Sequence, residues 1–235
     1  MRDELHRAPR HRHHHHEDIV ELVITRRERH HRETRDEILV AAREVLLERG
    51  AADLSLREIA RRSGFSPGAL YKYFDSKDDL VKALADNAMA ALLREFSRAS
   101  PDLPPDERAL EMGLAYLEFA RRNPEDVAVI TQHESMVHAL PPSPEHRQFE
   151  EIVTGVFQEG IASGMFTAAN ERDAEYMAYG AWALVQGLAT FEQNQRPQLS
   201  QLLRAKQRQL MNVFINGLKS DWSDPRAPEP GSPVT

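Results

Sequence analysis

The stretch comprising residues 55–80 restricts the fold of this chain more than any other segment, because signals for starting and ending helices follow one another closely there. Ser55 and Glu58 have the spacing of a capping box, so a helix is expected to begin at Leu56. Gly64 tolerates the positive φ at which such a helix ends. One short helix is therefore predicted between Leu56 and this glycine.

A second helix start follows almost at once. Proline pushes Ser66 out of the α region, where a cap residue belongs, and Pro67 suits the first helical position because it lacks an amide hydrogen. We expect a helix from Pro67 to about Phe74, with Leu70 and Phe74 facing inward. Two short helices joined by a tight turn containing glycine are typical of the helix-turn-helix, whose second helix lies in the DNA major groove. The residues left facing elsewhere are Gly68, Ala69, Tyr71, Lys72 and Tyr73. The alternative is an ordinary helical hairpin whose tyrosines merely pack.

The run from Ile38 to Leu80 resembles the DNA-binding domain of the tetracycline-repressor (TetR) family of transcriptional regulators. The resemblance is carried by Leu56-Arg-Glu-Ile-Ala-Arg-Arg-Ser-Gly-Phe-Ser-Pro-Gly-Ala-Leu-Tyr-Lys-Tyr-Phe-Asp-Ser-Lys-Asp-Asp-Leu80. Departures are mild: Ser55, Leu47 and Ala51 stand where the family often has threonine, phenylalanine and an aromatic residue. The resemblance implies DNA contacts at Ser55, Arg57, Ser66, Pro67, Gly68, Ala69, Tyr71, Lys72, Tyr73 and Lys77.

Two longer helices are expected to flank this motif. The first spans Thr34 to Arg49 and packs its apolar stripe on the motif. The fourth begins after Ser76, whose hydroxyl caps it, and runs to about Arg98. This continuous fourth helix would convey movement between the DNA-binding part and the rest of the chain.

The remainder of the chain also reads as helical, with no segment that alternates as a strand should. Prolines interrupt it at residues 100–105, 124 and 141–144. Helical patterns are predicted at 106–122, 125–139, 144–163, 171–193 and 198–219. We therefore predict an all-α fold of about nine helices: a three-helix DNA-binding domain at 33–80, a ligand-binding and dimerisation domain at 81–220, and a disordered tail at 221–235.

Residues 1–32 contain eight of the chain's 11 histidines, mixed with arginines and acids. We interpret this extension as mostly disordered. It is a solvated arm, the result of a mis-assigned start codon, or a remnant of cloning. Histidine-rich tracts also bind Zn²⁺ or Ni²⁺, which leaves a metal-sensing arm as an alternative. A third reading places Arg26, Arg27, Arg29 and Arg32 along the DNA backbone or in a minor groove.

Composition excludes several classes of protein. The chain has no cysteine, so disulfide frameworks and thiolate sites are excluded. Its charged start lacks the apolar core of a signal peptide, so we expect a cytoplasmic protein. The net charge of −7 argues against a nonspecific nucleic-acid coat. Between residues 55 and 77, however, five bases face two acids, and local charge decides where DNA binds.

The last two predicted helices are strongly apolar. Residues 176–191 are apolar on all sides and must be buried, yet this run is too short for the ~20 apolar residues of a membrane span. Because the last two helices of TetR-family subunits form a four-helix dimer interface, the resemblance implies a homodimer. The residues proposed for it are Trp182, Leu203, Leu210, Phe214 and Leu218. Residues 181–188 also resemble a C-terminal subtype with the motif Trp-x-x-x-His-Gly, in which Gln186 replaces the histidine.

The family resemblance also implies a small, apolar ligand between the helices of the C-terminal domain. The wall of its site is expected to include Met89, Met112, Tyr116, Phe119, His133, Met136, Phe157 and Tyr179. Plain core packing is the better explanation for each of these residues when it is taken singly.

An enzymatic function finds little support. The segment His133-Glu-Ser-Met-Val-His138 is one residue too long for the zinc motif His-Glu-x-x-His, so the two rings leave different faces of a helix. No phosphate loop or nucleophile elbow is present, and no cofactor is expected. The sequence predicts a homodimeric regulator, most simply a repressor that a ligand releases from a palindromic operator. An activator of the same fold, or a helical ligand carrier without a DNA function, remains the alternative.

Overall fold

The computed structural model describes residues 25–50, 53–136, 143–170, 172–194 and 197–219, apart from the side chains of 132–136. The predicted disordered extension up to residue 24 and the predicted tail from residue 221 lie outside these residues. The side chains of His133 and Met136 lie outside them too. Within the described ranges the chain is all-α, as predicted.

Nine helices follow one another in the described residues, without a strand. They are α1 (Arg26–Arg49), α2 (Leu56–Ser63), α3 (Pro67–Leu70), α4 (Lys77–Phe96), α5 (Pro105–Arg122), α6 (Pro124–Met136), α7 (Pro144–Ala162), α8 (Asp173–Asn194) and α9 (Pro197–Lys219). None of them is long and apolar enough to cross a membrane.

Helix α1 begins eight residues earlier than the predicted start at Thr34, which was therefore wrong. The reason is a complete capping box: Thr25 Oγ1 accepts from the Glu28 amide at 3.2 Å, and the Thr25 amide donates to the Glu28 carboxylate at 2.8 Å. Residues 26–32, predicted to belong to a disordered extension, instead form the first two turns of this helix.

The helix-turn-helix forms where the caps predict it. Ser55 caps α2, and Gly64 ends that helix in the left-handed region at φ 76°. Helix α3 is shorter than predicted because it ends at Leu70, and a hydrogen-bonded turn continues the chain to Phe74. Leu70 and Phe74 are both buried, so the predicted inward face is confirmed.

Helix α4 connects the two halves of the molecule. Ser76 Oγ caps it by accepting from the Asp79 amide at 3.1 Å, as predicted. The helix packs against α1 on one side and against α5, α6 and α7 on the other. Helix α6 contacts both α1 and α4, while α5 packs against α7, α8 and α9. The N-terminal three helices and the C-terminal bundle therefore share one continuous core.

Candidate nucleic-acid interface and inner cavity

Helix α3 and the turn that follows it present a surface to solvent. Because Leu70 and Phe74 anchor one side in the core, the opposite side is exposed at Ser66, Pro67, Gly68, Tyr71 and Lys72. Ala69 and Tyr73 are half-buried beside them. The other predicted contacts lie at neighbouring helix starts: Ser55 and Arg57 at α2, and Lys77 at α4. We call these ten residues the reading surface.

Two hydroxyls of the reading surface hold helix starts in place. Ser55 Oγ accepts from the Glu58 amide at 3.4 Å, and Ser66 Oγ accepts from the Ala69 amide at 3.2 Å. A hydroxyl that accepts in this way still has its own hydrogen to donate. Both serines are therefore able to donate to a phosphate oxygen without giving up the cap.

Three cations of the reading surface are unpaired among the described residues: Arg57, Lys72 and Lys77 form no ion pair there. Two other arginines, which sequence reasoning counted toward the local positive charge, are already occupied. Arg61 binds Glu58, and Arg62 binds both Glu58 and Glu48. The positive charge offered to a ligand is consequently smaller than predicted and concentrated on α2, on the turn after α3 and on α4.

Glu58 lies at the centre of a cluster of three arginines, which we call the arginine cluster: Arg49, Arg61 and Arg62. Hydrogen bonds from Arg61 and Arg62 lower the pKa of its carboxyl group from 4.5 to about 2, with Arg49 nearby adding to the effect. The carboxylate turns toward the arginines rather than back to the Ser55 amide, so the second half of the predicted capping box does not form. The guanidinium groups win because an ion pair adds the attraction of opposite charges to the hydrogen bond, whereas the backbone amide carries no net charge.

The first turns of α1 lie beside the reading surface, a contact that sequence reasoning missed. The ring of His31 lies 4.7 Å from the ring of Tyr73, measured between centroids. One turn further along α1, the Arg35 guanidinium lies 4.8 Å above the centre of the Phe74 ring. Through these two side chains, α1 contacts the turn after α3.

A small apolar cavity of about 50 Å³ lies among α5, α7, α8 and α9. Three of the residues predicted for the ligand site line it: Met112, Tyr116 and Phe157. The ring of Trp182 closes one side, 5.0 Å from the ring of Tyr116 and 5.0 Å from that of Phe149. Aromatic residues that were not predicted for this site also line it, namely Phe96, Phe149, Trp182 and Phe214.

Other residues predicted for the ligand site lie elsewhere. Met89 and Phe119 are buried but do not line the cavity. Tyr179 is 75% exposed and lines a separate open cleft of about 520 Å³ between α7 and α8. Gln186, the residue at the histidine position of the subtype motif, accepts a 2.7 Å hydrogen bond from the hydroxyl of Tyr116.

The residues predicted for dimerisation mostly point into their own subunit. Trp182 and Phe214 line the cavity, and Leu203 and Leu218 pack against the core. Of these five side chains, only that of Leu210 is exposed to solvent. The large apolar side chains that α8 and α9 leave in solvent form what we call the outer face: Tyr176, Tyr179, Phe191, Leu199, Leu202, Leu210 and Val213. Within the described part of the chain, no cluster of histidines and carboxylates is suited to a metal ion.

Comparison with known proteins gives two matching sequence profiles. The profile "Bacterial regulatory proteins, tetR family" matches residues 38–84, which include the reading surface. The profile "Tetracyclin repressor-like, C-terminal domain" matches residues 109–214, which include most of the cavity wall.

Two relatives from Pseudomonas putida are similar in sequence. The uncharacterized HTH-type transcriptional regulator TtgW is 30% identical over 148 residues, which are 62% of this chain and 92% of TtgW. The HTH-type transcriptional regulator SrpR is 30% identical over 147 residues, which are 62% of this chain. The match covers only 58% of SrpR, less than two thirds of its length.

Solved structures agree in fold. A putative tetR family regulator from Shewanella sp. PV-4 superposes with a TM-score of 0.64 at 18% identity, covering 80% of this chain and 98% of that one. BioQ, solved with its natural double-stranded DNA operator, superposes with a TM-score of 0.56 at 23% identity. That match covers 79% of this chain and 97% of BioQ.

Proposed function

Because the chain belongs to the TetR family of bacterial transcriptional regulators, with a DNA-binding helix-turn-helix, we propose that it is a homodimeric repressor whose operator binding is released by a small apolar ligand. The observation that carries the proposal is the reading surface. Exposed Tyr71 lies beside Arg57, Lys72 and Lys77, which form no ion pair with the residues that the structure describes. Ser55, Ser66 and Ser76 cap the three helices that carry or flank these side chains. BioQ, which has the same fold, has been solved on its operator.

The outer face supports the homodimer. Its exposed residues recur along α8 and α9 at helical spacing, so that two adjacent helices each present an apolar stripe to solvent. Exposed apolar surfaces of this kind mark interaction sites. A second copy of the chain, related by a two-fold axis, would cover them and place two reading surfaces toward one DNA duplex. Their half-sites would lie about 34–36 Å apart, or a multiple of that distance.

The apolar lining of the inner cavity supports the proposal that the ligand is apolar. At about 50 Å³ it is smaller than the ~150 Å³ cavity that admits benzene in an engineered protein core, so a ligand has to displace side chains to bind. Phe149, Val153 and Trp182 separate the cavity from the open cleft, because they line both. We expect the ligand to pass from the cleft to the cavity by moving the ring of Trp182.

Helix α4 links the two sites. It carries Lys77 of the reading surface at its first residue and Phe96 of the cavity wall at its last. The 19 residue-to-residue steps from one to the other correspond to about 28 Å along the helix axis. A ligand that displaces Phe96 therefore favours a different position of α4 and of the reading surface. If the ligand binds more tightly to the state whose reading surface is displaced, that difference in affinity is sufficient to release the operator DNA.

Selection of DNA duplexes from a random-sequence library tests the proposal. We expect the full chain to enrich an inverted repeat whose half-sites have the spacing given above. Recovery of no common sequence, or of a single half-site bound by one chain, would refute the dimeric repressor.

A further inference from the structure

Three arginines occupy the first turn of α1, and the proposed reading surface does not include them. Arg26, Arg27 and Arg29 are exposed, and none of them forms an ion pair with a described residue. We call them the arginine patch. The nearest acid in the sequence is Glu28, whose carboxylate is engaged by the amide and the hydroxyl of Thr25. Glu33, which lines the same cleft as the three arginines, forms no ion pair with them. The guanidinium groups of the patch therefore have no ion-pair partner among the described residues.

The position of Arg27, one member of the patch, relative to the reading surface is fixed by an aromatic contact; Arg26 and Arg29 leave the same turn on other sides of α1. His31 lies against Tyr73, with ring centroids 4.7 Å apart. Arg27 precedes His31 by four residues, so it lies on the same side of α1, about one turn closer to the helix start. The capping box at Thr25 keeps this turn helical, which gives the patch a rigid support.

From these contacts we infer that the arginine patch is a second DNA-contact element, which binds the phosphate backbone next to the segment read by α3. The inference rests on the proposed function, because it requires that DNA occupies the reading surface. Duplex DNA carries one negative charge per ~1.7 Å of its axis, so a helix that projects beyond Tyr73 along bound DNA meets phosphates. Arginine suits them because its planar fork binds phosphate with two parallel hydrogen bonds.

Phosphate contacts have a measurable signature. Each contact contributes about −0.9 to the slope of the logarithm of the binding constant against the logarithm of salt concentration, whatever the DNA sequence. Loss of the patch should therefore weaken binding to all duplexes alike and flatten this slope. A structural role, by contrast, would lower thermal stability and leave the slope unchanged.

The experiment uses the full chain, a duplex obtained by the selection described above, and a scrambled duplex of the same length. Binding is measured by fluorescence anisotropy between about 50 mM and about 200 mM salt. Arg27→Ala is compared with Arg94→Ala, which removes an exposed arginine near the far end of α4 that forms no ion pair within the described ranges. Arg27→Lys retains the charge, and a triple variant with alanine at residues 26, 27 and 29 gives the largest effect.

We expect Arg27→Ala to flatten the slope by about 0.9 on both duplexes, and the triple variant to flatten it by up to about 2.7. Over this fourfold change in salt, the affinity of the triple variant would then fall by a factor up to about 40 times smaller than that of the wild-type chain. Arg27→Lys should restore most of the slope, and Arg94→Ala should match the wild-type chain. Wild-type binding with unchanged slopes in the patch variants would overturn the inference alone. Salt-independent or absent binding of the wild-type chain would overturn the proposed function as well.

Discussion

Arg43 of α1 donates a 2.9 Å hydrogen bond to the carboxylate of Asp126 on α6, and so joins the DNA-binding part of the chain to the C-terminal bundle. The two partners differ in environment. The side chain of Asp126 is 6% exposed, whereas that of Arg43 is 30% exposed. Asp126 also lies in the first turn of its helix, where the helix dipole favours a negative charge.

The two ends of this ion pair are expected to respond unequally to mutation. Arg43→Ala leaves a buried carboxylate without its cationic partner, so we expect it to lower the free energy of unfolding by about 2–3 kcal/mol. Asp126→Asn leaves an arginine that water still reaches, and should cost about 1 kcal/mol. Urea unfolding of the wild-type chain, both single variants and the double variant gives the interaction free energy between Arg43 and Asp126. Strict additivity of the two effects would show that the pair does not interact.

Two arginines one turn apart on α2 should differ in their effect on DNA binding. Arg57 is exposed and unpaired among the described residues, whereas Arg61 is bound to Glu58. We expect Arg57→Ala to cost about 1–3 kcal/mol of operator binding and to relax specificity at one position in each half-site. Arg61→Ala removes the same charge and serves as the control, with an expected effect below about 0.5 kcal/mol. Equal losses in an anisotropy titration would contradict the assignment of Arg57.

The sequence predicted those features that depend on local backbone chemistry. Ser55, Ser66 and Ser76 cap the helices that were expected to follow them, and Gly64 has the predicted positive φ. The reciprocal bond of Glu58 was predicted wrongly because Arg61 and Arg62 compete for the same carboxylate. The spacing of Ser55 and Glu58 shows that the carboxylate can reach the Ser55 amide, but it does not show which hydrogen-bond donor the carboxylate prefers.

The arginine cluster around Glu58 makes part of the stability depend on pH. The pKa of Glu58 is about 2 in the folded chain and near 4.5 in the unfolded chain, so the folded state favours the ionised carboxylate. The resulting stabilisation is complete above about pH 4.5 and is lost as the pH falls toward 2. Glu58→Gln should therefore lower the urea midpoint at pH 7 and have a progressively smaller effect between about pH 4.5 and pH 2. A difference that stays constant over this range would exclude the ionised carboxylate as its source.

The outer face should control the association of subunits. Val213 is 73% exposed on α9, and the proposed homodimer buries it. We expect Val213→Lys to raise the dimer dissociation constant at least about tenfold, because an unpaired ammonium is costly to bury. Val40→Lys introduces the same charge at a 47% exposed valine of α1, away from the outer face, and should leave association unchanged. Sedimentation equilibrium distinguishes the two; equal masses for both variants would remove the support for this interface.

Two features of the chain escaped sequence reasoning for different physical reasons. The start of α1 was missed because the histidines and arginines around the Thr25–Glu28 capping box have a composition typical of disorder. The inward sides of α8 and α9 were not distinguished from the outer face because both are apolar. Periodicity identifies a helix, but it does not decide which of two apolar sides faces its own core. Trp182, for example, lines the cavity wall in the structure, and its predicted place in the dimer interface stays a prediction.

The central claim is that a dimer reads DNA through α3 and the turn after it. Its most direct test is an anisotropy titration of the selected duplex and of a scrambled duplex, at about 50 mM and about 200 mM salt, with the number of bound chains determined at saturation. We predict two chains for each selected duplex, an affinity at least about 10³-fold tighter than for the scrambled duplex, and weaker binding to both at the higher salt. Equal affinity for the two duplexes, or binding that salt does not weaken, would contradict it.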